Sequence, residues 1–174
     1  MSDGIAVFSI VGEHGSGKTT VIEGLVAELT RIGLRVGTIK HDVHGFQMDR
    51  EGKDSFRHKA AGASTSLVSS PWQVGMVRDT DRDLTVAELV EKFMDGIDVV
   101  LTEDYHRERW PKVEVHRRAT GKPLRCAGDE TVVALISDEP LAVDVPIFGF
   151  DRISEVARLL LEHAGGTLAA RTGG

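Results

Sequence analysis

The chain has 174 residues, 41% hydrophobic, 28% charged and 5% aromatic, with 21 basic against 27 acidic side chains and a net charge of −6. Those figures describe one globular domain, read over residues 1–164, with a core of its own and no global electrostatic hold on nucleic acid or an anionic membrane. A lone cysteine, Cys126, excludes an internal disulfide framework or cysteine-based zinc cage, and with no apolar run near the roughly 18 residues of a membrane span and no signal-peptide pattern, the chain reads as cytoplasmic.

The first element is a β-branched strand, Ile5 to Val11, followed by Gly12-Glu-His-Gly-Ser-Gly-Lys-Thr-Thr20. Val21, Ile22, Leu25, Val26 and Leu29 then recur at helical spacing and stop at Ile32-Gly33. Leu34 to Lys40 is a second strand, so the unit reads strand–loop–helix–strand with its two strands parallel. His41 to Lys53 is a surface loop, Asp54 to Ala63 a short helix, and Ser64 to Ser70 with Gln73 to Arg78 a hairpin turning at Pro71-Trp72. After a charged turn, Leu84 to Met94 is an amphipathic helix. Ile97 to Thr102 is a strand covered on both faces, while Lys112 to Arg117 alternates charge with Val113 and Val115 and is expected to be half exposed. Cys126 falls in or beside a loop. Thr131 to Ile136 and Val145 to Phe148 complete the strands, Asp151 to His163 forms a terminal helix, and the tail from Gly165 to Gly174 reads as disordered. The alternation predicts an α/β fold, a mainly parallel sheet flanked by helices with an inserted β-hairpin, and the glycine-rich stretch after the first strand makes it one of P-loop NTPase type.

Gly12-x-x-x-x-Gly17-Lys18-Thr19 is a complete phosphate-binding loop, and it stands between a strand and a helix, where such a loop must stand. A chain that turns its amides inward around phosphates needs conformations that Gly12, Gly15 and Gly17 reach at little cost. Lys18 supplies a full charge for the β- and γ-phosphates, and Thr19 a hydroxyl for Mg²⁺. Ser16 and Thr20 complete the stretch, and Glu13 and His14 fill its variable positions.

Such a loop needs a carboxylate near the metal, and the strand ending at Thr102 is followed by Glu103-Asp104. Glu103 is the first candidate for holding metal or water, with Asp104 and Asp42 as the others; Asp98, at the start of the strand, reads as a turn or cap residue. Lys40 and His41 sit at the carboxyl end of the second strand, the edge where open α/β sheets bind ligands. His44, His58, His106 and His116 show no metal-ligand spacing. Arg107, Arg109, Lys112, Arg117 and Arg118 form a dense basic stretch, either a solvated face or an anion or partner surface near the phosphates. Lys53 and Arg57 flank Asp54 as local charge pairs or a second phosphate contact.

Several segments appear in a telling order: the loop itself, Arg35-Val-Gly-Thr-Ile-Lys-His41, Gly52-Lys-Asp-Ser-Phe-Arg-His58, Asp98-Val-Val-Leu-Thr-Glu103 and Pro111-Lys-Val-Glu-Val-His-Arg117. Together they resemble the MobB family, the molybdopterin-guanine dinucleotide biosynthesis accessory proteins. The resemblance implies a GTP-binding homodimer with weak, Mg²⁺-dependent GTPase activity. It would act beside the guanylyltransferase that joins GMP to molybdopterin, with a molybdoenzyme or its chaperone as a further partner. By position, Lys18 and Thr19 become phosphate and metal groups and Glu103 the acidic residue after the buried strand, while Lys40, His41, Asp54, Ser55 and Arg57 match other recurrent polar positions. The chain departs from the family's usual Glu-Gly-Phe-Lys, having Glu103-Asp104-Tyr105-His106 instead. It also lacks the Asn-Lys-x-Asp segment of guanine-reading GTPases. Asp138, after the strand ending at Ile136, is placed either to accept hydrogen bonds from guanine N1 and N2 or simply to end a strand in solvent. Two other readings stay open: a small-molecule kinase using Arg107 and Arg109, and a non-hydrolysing nucleotide-dependent adaptor.

Overall fold

The computed structural model describes residues 4–169. Its elements are β1 (Ala6–Val11), α1 (Lys18–Arg31), β2 (Val36–Lys40), α2 (Asp54–Ala60), β3 (Thr65–Ser69), β4 (Val74–Arg78), α3 (Val86–Phe93), β5 (Val99–Glu103), β6 (Lys112–His116), β7 (Val132–Ser137), β8 (Ile147–Phe148) and α4 (Ile153–Ala169). They form two compact units, one running to His41 and resuming at Thr85, the other from Asp42 to Leu84.

In the larger unit the strands lie in the order β2-β5-β1-β6-β7-β8, every neighbour parallel. This is the parallel sheet that the strand–helix alternation predicts. β1 and β5 are almost continuously apolar and fully buried because both faces are covered. Phe8, Ile10 and Leu101 pack against Val21 and Leu25 of α1 and Val156 and Leu160 of α4. The residues between them, Val7 and Val100, meet Val86 and Val90 of α3 on the other face. Ser9 and Thr102 also sit between the strands, and their buried hydroxyls bond each other at 2.8 Å. A capping box starts α3, in which Thr85 and Glu88 bond reciprocally.

Two expectations need correction. β6 is buried at all five positions, where its alternating charge suggested a half-exposed strand. The face carrying Lys112, Glu114 and His116 is satisfied by loops that bring their own partners, not by water. Lys112 Nζ meets Asp129 at 3.1 Å and the carbonyl of Glu108 at 2.6 Å; Glu114 accepts from the amides of Arg125 and Cys126; His116 Nε2 lies 2.8 Å from Glu139. Second, the terminal helix runs on to Ala169, through residues read as the start of the tail. Residues 170–174 of that tail lie outside the described residues.

In the smaller unit β3 and β4 pair antiparallel, Leu67 opposite Met76 and Ser69 opposite Val74. The turn closes through the Ser70 amide on the Gln73 carbonyl at 2.8 Å. α2 lies against β3, with Ser66 Oγ donating to the Ser55 carbonyl at 3.2 Å. The Lys59–Asp79 ion pair at 2.7 Å ties the end of the helix to the end of the hairpin. Among the described residues no helix is long and apolar enough to cross a membrane.

Candidate functional site

The glycine loop leaves β1 at its carboxyl end and enters α1. Gly12, Gly15 and Gly17 all have positive φ, 143°, 77° and 101°. At Gly12 the requirement is also steric, since a Cβ there would sit 2.2 Å from the Val115 carbonyl oxygen of β6. Gly17 caps α1 without any side-chain acceptor, and the first turn holds no acidic residue. The amides that begin the helix therefore have no competing anion of their own, which is the local condition for anion binding. Ser16 Oγ is buried among them with no hydrogen-bond partner. Thr19 and Thr20 are exposed on that first turn, as is His14 in the loop, while Glu13 is half buried.

Lys18 is buried, and its ammonium donates to the carbonyls of Gly12 at 3.0 Å and Glu13 at 3.1 Å. The third partner is the Asp104 carboxylate at 3.3 Å. Asp104 is the one non-glycine residue with positive φ among the described residues, at 71°. It stands where the resemblance leads one to expect glycine, so aspartate has kept the glycine conformation and aimed a negative charge at the loop lysine.

Glu103, the last residue of β5, aligns with Ile10 of β1 and Lys40 of β2. Its carboxylate lies 3.4 Å from Lys40 Nζ. The His41 amide donates to the Glu103 carbonyl at 3.2 Å, and the His41 ring packs on Tyr105 with centroids 5.0 Å apart. The loop residues, Lys40, His41 and Glu103 thus gather at the carboxyl ends of three adjacent strands. Asp98 holds the opposite end, accepting from the Arg35 amide at 2.7 Å.

Asp138 follows β7, across β6 from the loop. Its Oδ1 accepts from the Arg118 amide at 2.8 Å, and its Oδ2 lies 4.0 Å from Arg117. Arg117 belongs to the site, although in sequence it is only one of five basic residues. Its Nε donates to the Ser16 carbonyl at 3.3 Å, and its guanidinium carbon lies 4.1 Å from the centroid of the Phe150 ring. The signal was the strand period: Val113, Val115 and Arg117 share a face, and Val115 meets Gly12. Phe150 carried no comparable signal.

The rest of the basic stretch disperses. Arg107 and Arg109 line a cavity of about 260 Å³ with Glu108, Asp129 and Glu130. Three side chains of β6 and the loop that follows it have shifted acidities. Burial pushes Glu114 above the ordinary carboxylate value, against the pull of two amides. Burial, then the nearby Glu114 charge, push the Cys126 thiol to about 11. The Thr131 hydroxyl, with further help from Lys112, lowers Asp129 to about 2. Among the described residues no group of three or more His, Cys, Asp or Glu side chains forms a metal cage.

With this geometry in hand, comparison with known proteins gives a consistent result. The family model described as MobB, molybdopterin guanine dinucleotide synthesis protein B, matches residues 7–138. The molybdopterin-guanine dinucleotide biosynthesis adapter protein of Haemophilus influenzae is 36% identical over 158 residues, covering 90% of this chain and 88% of its own. Its Escherichia coli counterpart is 30% identical over 162 residues, covering 91% and 93%. Among solved structures, Bacillus subtilis MobB superposes with a TM-score of 0.71 at 28% identity, covering 90% of this chain and 96% of that one. A MobB homolog from Bacillus stearothermophilus gives 0.67 at 25% identity, covering 95% and 99%.

Proposed function

The chain belongs to the MobB family, adapters in molybdopterin guanine dinucleotide biosynthesis, and from that premise we propose that it is a cytoplasmic GTP-binding accessory protein with weak Mg²⁺-dependent GTPase activity that assists a guanylyltransferase in joining GMP to molybdopterin. The observation that carries this reading is the Gly12–Gly17 loop, closed on an uncapped helix N-terminus with the Lys18 ammonium buried against it.

Amides of residues 13–19 receive the phosphates, and Lys18 exchanges Asp104 and two carbonyls for the β- and γ-phosphate oxygens. The buried, unpartnered Ser16 Oγ gains a partner when an oxygen-rich ligand enters the loop. The Thr19 hydroxyl and Glu103 carboxylate suit Mg²⁺, being hard oxygen donors for an ion that keeps most of its waters and needs no full cage. Mg²⁺, when bound, neutralises charge on the β- and γ-phosphate oxygens. Glu103 orients water only after leaving Lys40, 3.4 Å away, so turnover is slow until a partner rearranges that edge. A second copy would cover the outer face of the hairpin. There Leu67, Val74 and Met76 are exposed and both strand edges are unpaired among the described residues.

Titration calorimetry with GTP and ATP tests the reading. GTP binds more tightly, Lys18→Ala removes binding, and Glu103→Ala weakens its Mg²⁺ dependence. A clear ATP preference would overturn the nucleotide assignment. Capture of the guanylyltransferase with and without GTP tests the partner. Capture that responds to GTP but not to hydrolysis selects the non-hydrolysing adaptor instead.

A further inference from the structure

The site around Arg117 is unexplained by phosphate or metal binding. Three strand ends converge there: Arg117 just beyond β6, Asp138 just beyond β7, and Phe150 two residues beyond β8. The guanidinium lies over the Phe150 ring at 4.1 Å and is fastened to the phosphate loop through Ser16. One of its nitrogens is 4.0 Å from Asp138 Oδ2, and that carboxylate is held in place by the Arg118 amide on its other oxygen. A fixed cation and a fixed carboxylate thus stand side by side at the edge of the loop, with a ring behind the cation.

From this juxtaposition we infer that Arg117 and Asp138 together read the base of the bound nucleotide, and that the base they select is guanine. The inference rests on the nucleotide reading above and adds the residues that choose the base. Along one edge guanine presents N2–H and N1–H as donors, then O6 and N7 as acceptors. A carboxylate accepts the first two and an adjacent guanidinium donates to the last two, in the same spatial order. Adenine breaks the match at both places, since its N1 is an acceptor facing the carboxylate and its N6 amino group faces the guanidinium. The Asn-Lys-x-Asp segment supplies a cation and a carboxylate from one stretch of chain. Here two strand ends supply them, which is why no contiguous motif is present. The Phe150 ring holds the guanidinium plane, and the Ser16 bond fixes its distance from the phosphates.

The test uses the full chain and four triphosphates. Wild type prefers GTP over ATP by at least about ten-fold, and over 7-deaza-GTP, which lacks the N7 acceptor, by several-fold. Arg117→Ala loses the discrimination against 7-deaza-GTP and most of that against ATP. Asp138→Asn keeps size and the acceptor for the Arg118 amide, so it guards against a folding artefact, and it shifts preference from GTP toward xanthosine triphosphate. If Arg117→Ala weakens GTP and ATP equally, the residue supports the loop or the phosphates and the inference is overturned. Unchanged ratios in both variants overturn it as well. If wild type binds no nucleotide at all, it is the parent reading that fails, and the two failures are distinguishable.

Discussion

Asp104 holds a backbone conformation that costs a non-glycine residue about 1 kcal/mol, and it does so while its carboxylate faces Lys18. A negative group at 3.3 Å from the lysine competes with an incoming phosphate for the same charge. Asp104→Gly removes both the backbone cost and the competitor, so it tightens GTP binding by about five-fold, roughly the worth of one partly exposed ion pair, with no loss of thermal stability. Asp104→Asn separates the effects by removing the charge alone. Weaker binding in both variants, read by fluorescent-nucleotide titration, would instead assign Asp104 the metal-side role left open beside Glu103. Gly12→Ala is the stricter residue test. Its Cβ would meet a backbone oxygen at 2.2 Å in a residue already at φ 143°. Neither can give way locally, so the variant loses about 2–3 kcal/mol in chemical denaturation along with nucleotide binding. Lys18, Thr19 and the glycines were legible because their chemistry is written in eight consecutive positions. Arg117 was legible only as one of five basic residues, because its bond to Ser16 joins residues 101 apart in sequence.

At the scale of elements, period and β-branching placed the eight strands and four α-helices of the described residues, since those signals are local. They misjudged what covers β6. Alternating charge reads as a solvated face, yet Lys112 is 1% exposed and its charge is answered by Asp129, the Glu108 carbonyl and Thr131. Nothing in a strand's own sequence announces that a distant loop will roof it with amides and a carboxylate. Asp129→Ala leaves a buried ammonium without its counter-charge and costs about 3 kcal/mol of stability. The Thr131 hydroxyl, with further help from Lys112, also gives Asp129 an acid limb. Asp129 titrates at about 2 when folded, below its ordinary 3.8. Its contribution is therefore fully present above 3.8 and is lost as pH falls through about 2. Glu114 has the opposite sign: its folded value lies above 4.5, so it favours the fold below that value and loses this contribution as pH rises through the folded one. Thermal melts between pH 2 and 5 separate them. Asp129→Asn has a flatter acid limb than wild type, and an unchanged limb would remove Asp129 as its source.

Across the whole molecule the charge of −6 limits how two copies can meet, because like-charged surfaces repel and an interface must come from apolar area or unpaired backbone. The hairpin offers both. By register Leu67, Val74 and Met76 share one face, opposite the one on which Ser66 bonds α2, and they are 57%, 67% and 36% exposed. Trp72 at the turn is 90% exposed. A two-stranded sheet is marginal by itself, and identical unpaired edges on two copies can extend each other about a two-fold axis without any other partner. Residues 42–84 form a compact unit of their own, so this surface can be altered while the phosphate loop keeps its own core. The chain is therefore expected to be a dimer by light scattering at micromolar concentration. Leu67→Lys with Val74→Lys converts it to monomer, while GTP affinity stays within about two-fold of wild type. A wild-type chain that stays monomeric through high micromolar concentration would overturn the self-association. Loss of GTP binding in the monomeric double variant would instead mean that the second copy completes the nucleotide site, so that assembly and nucleotide occupancy are linked.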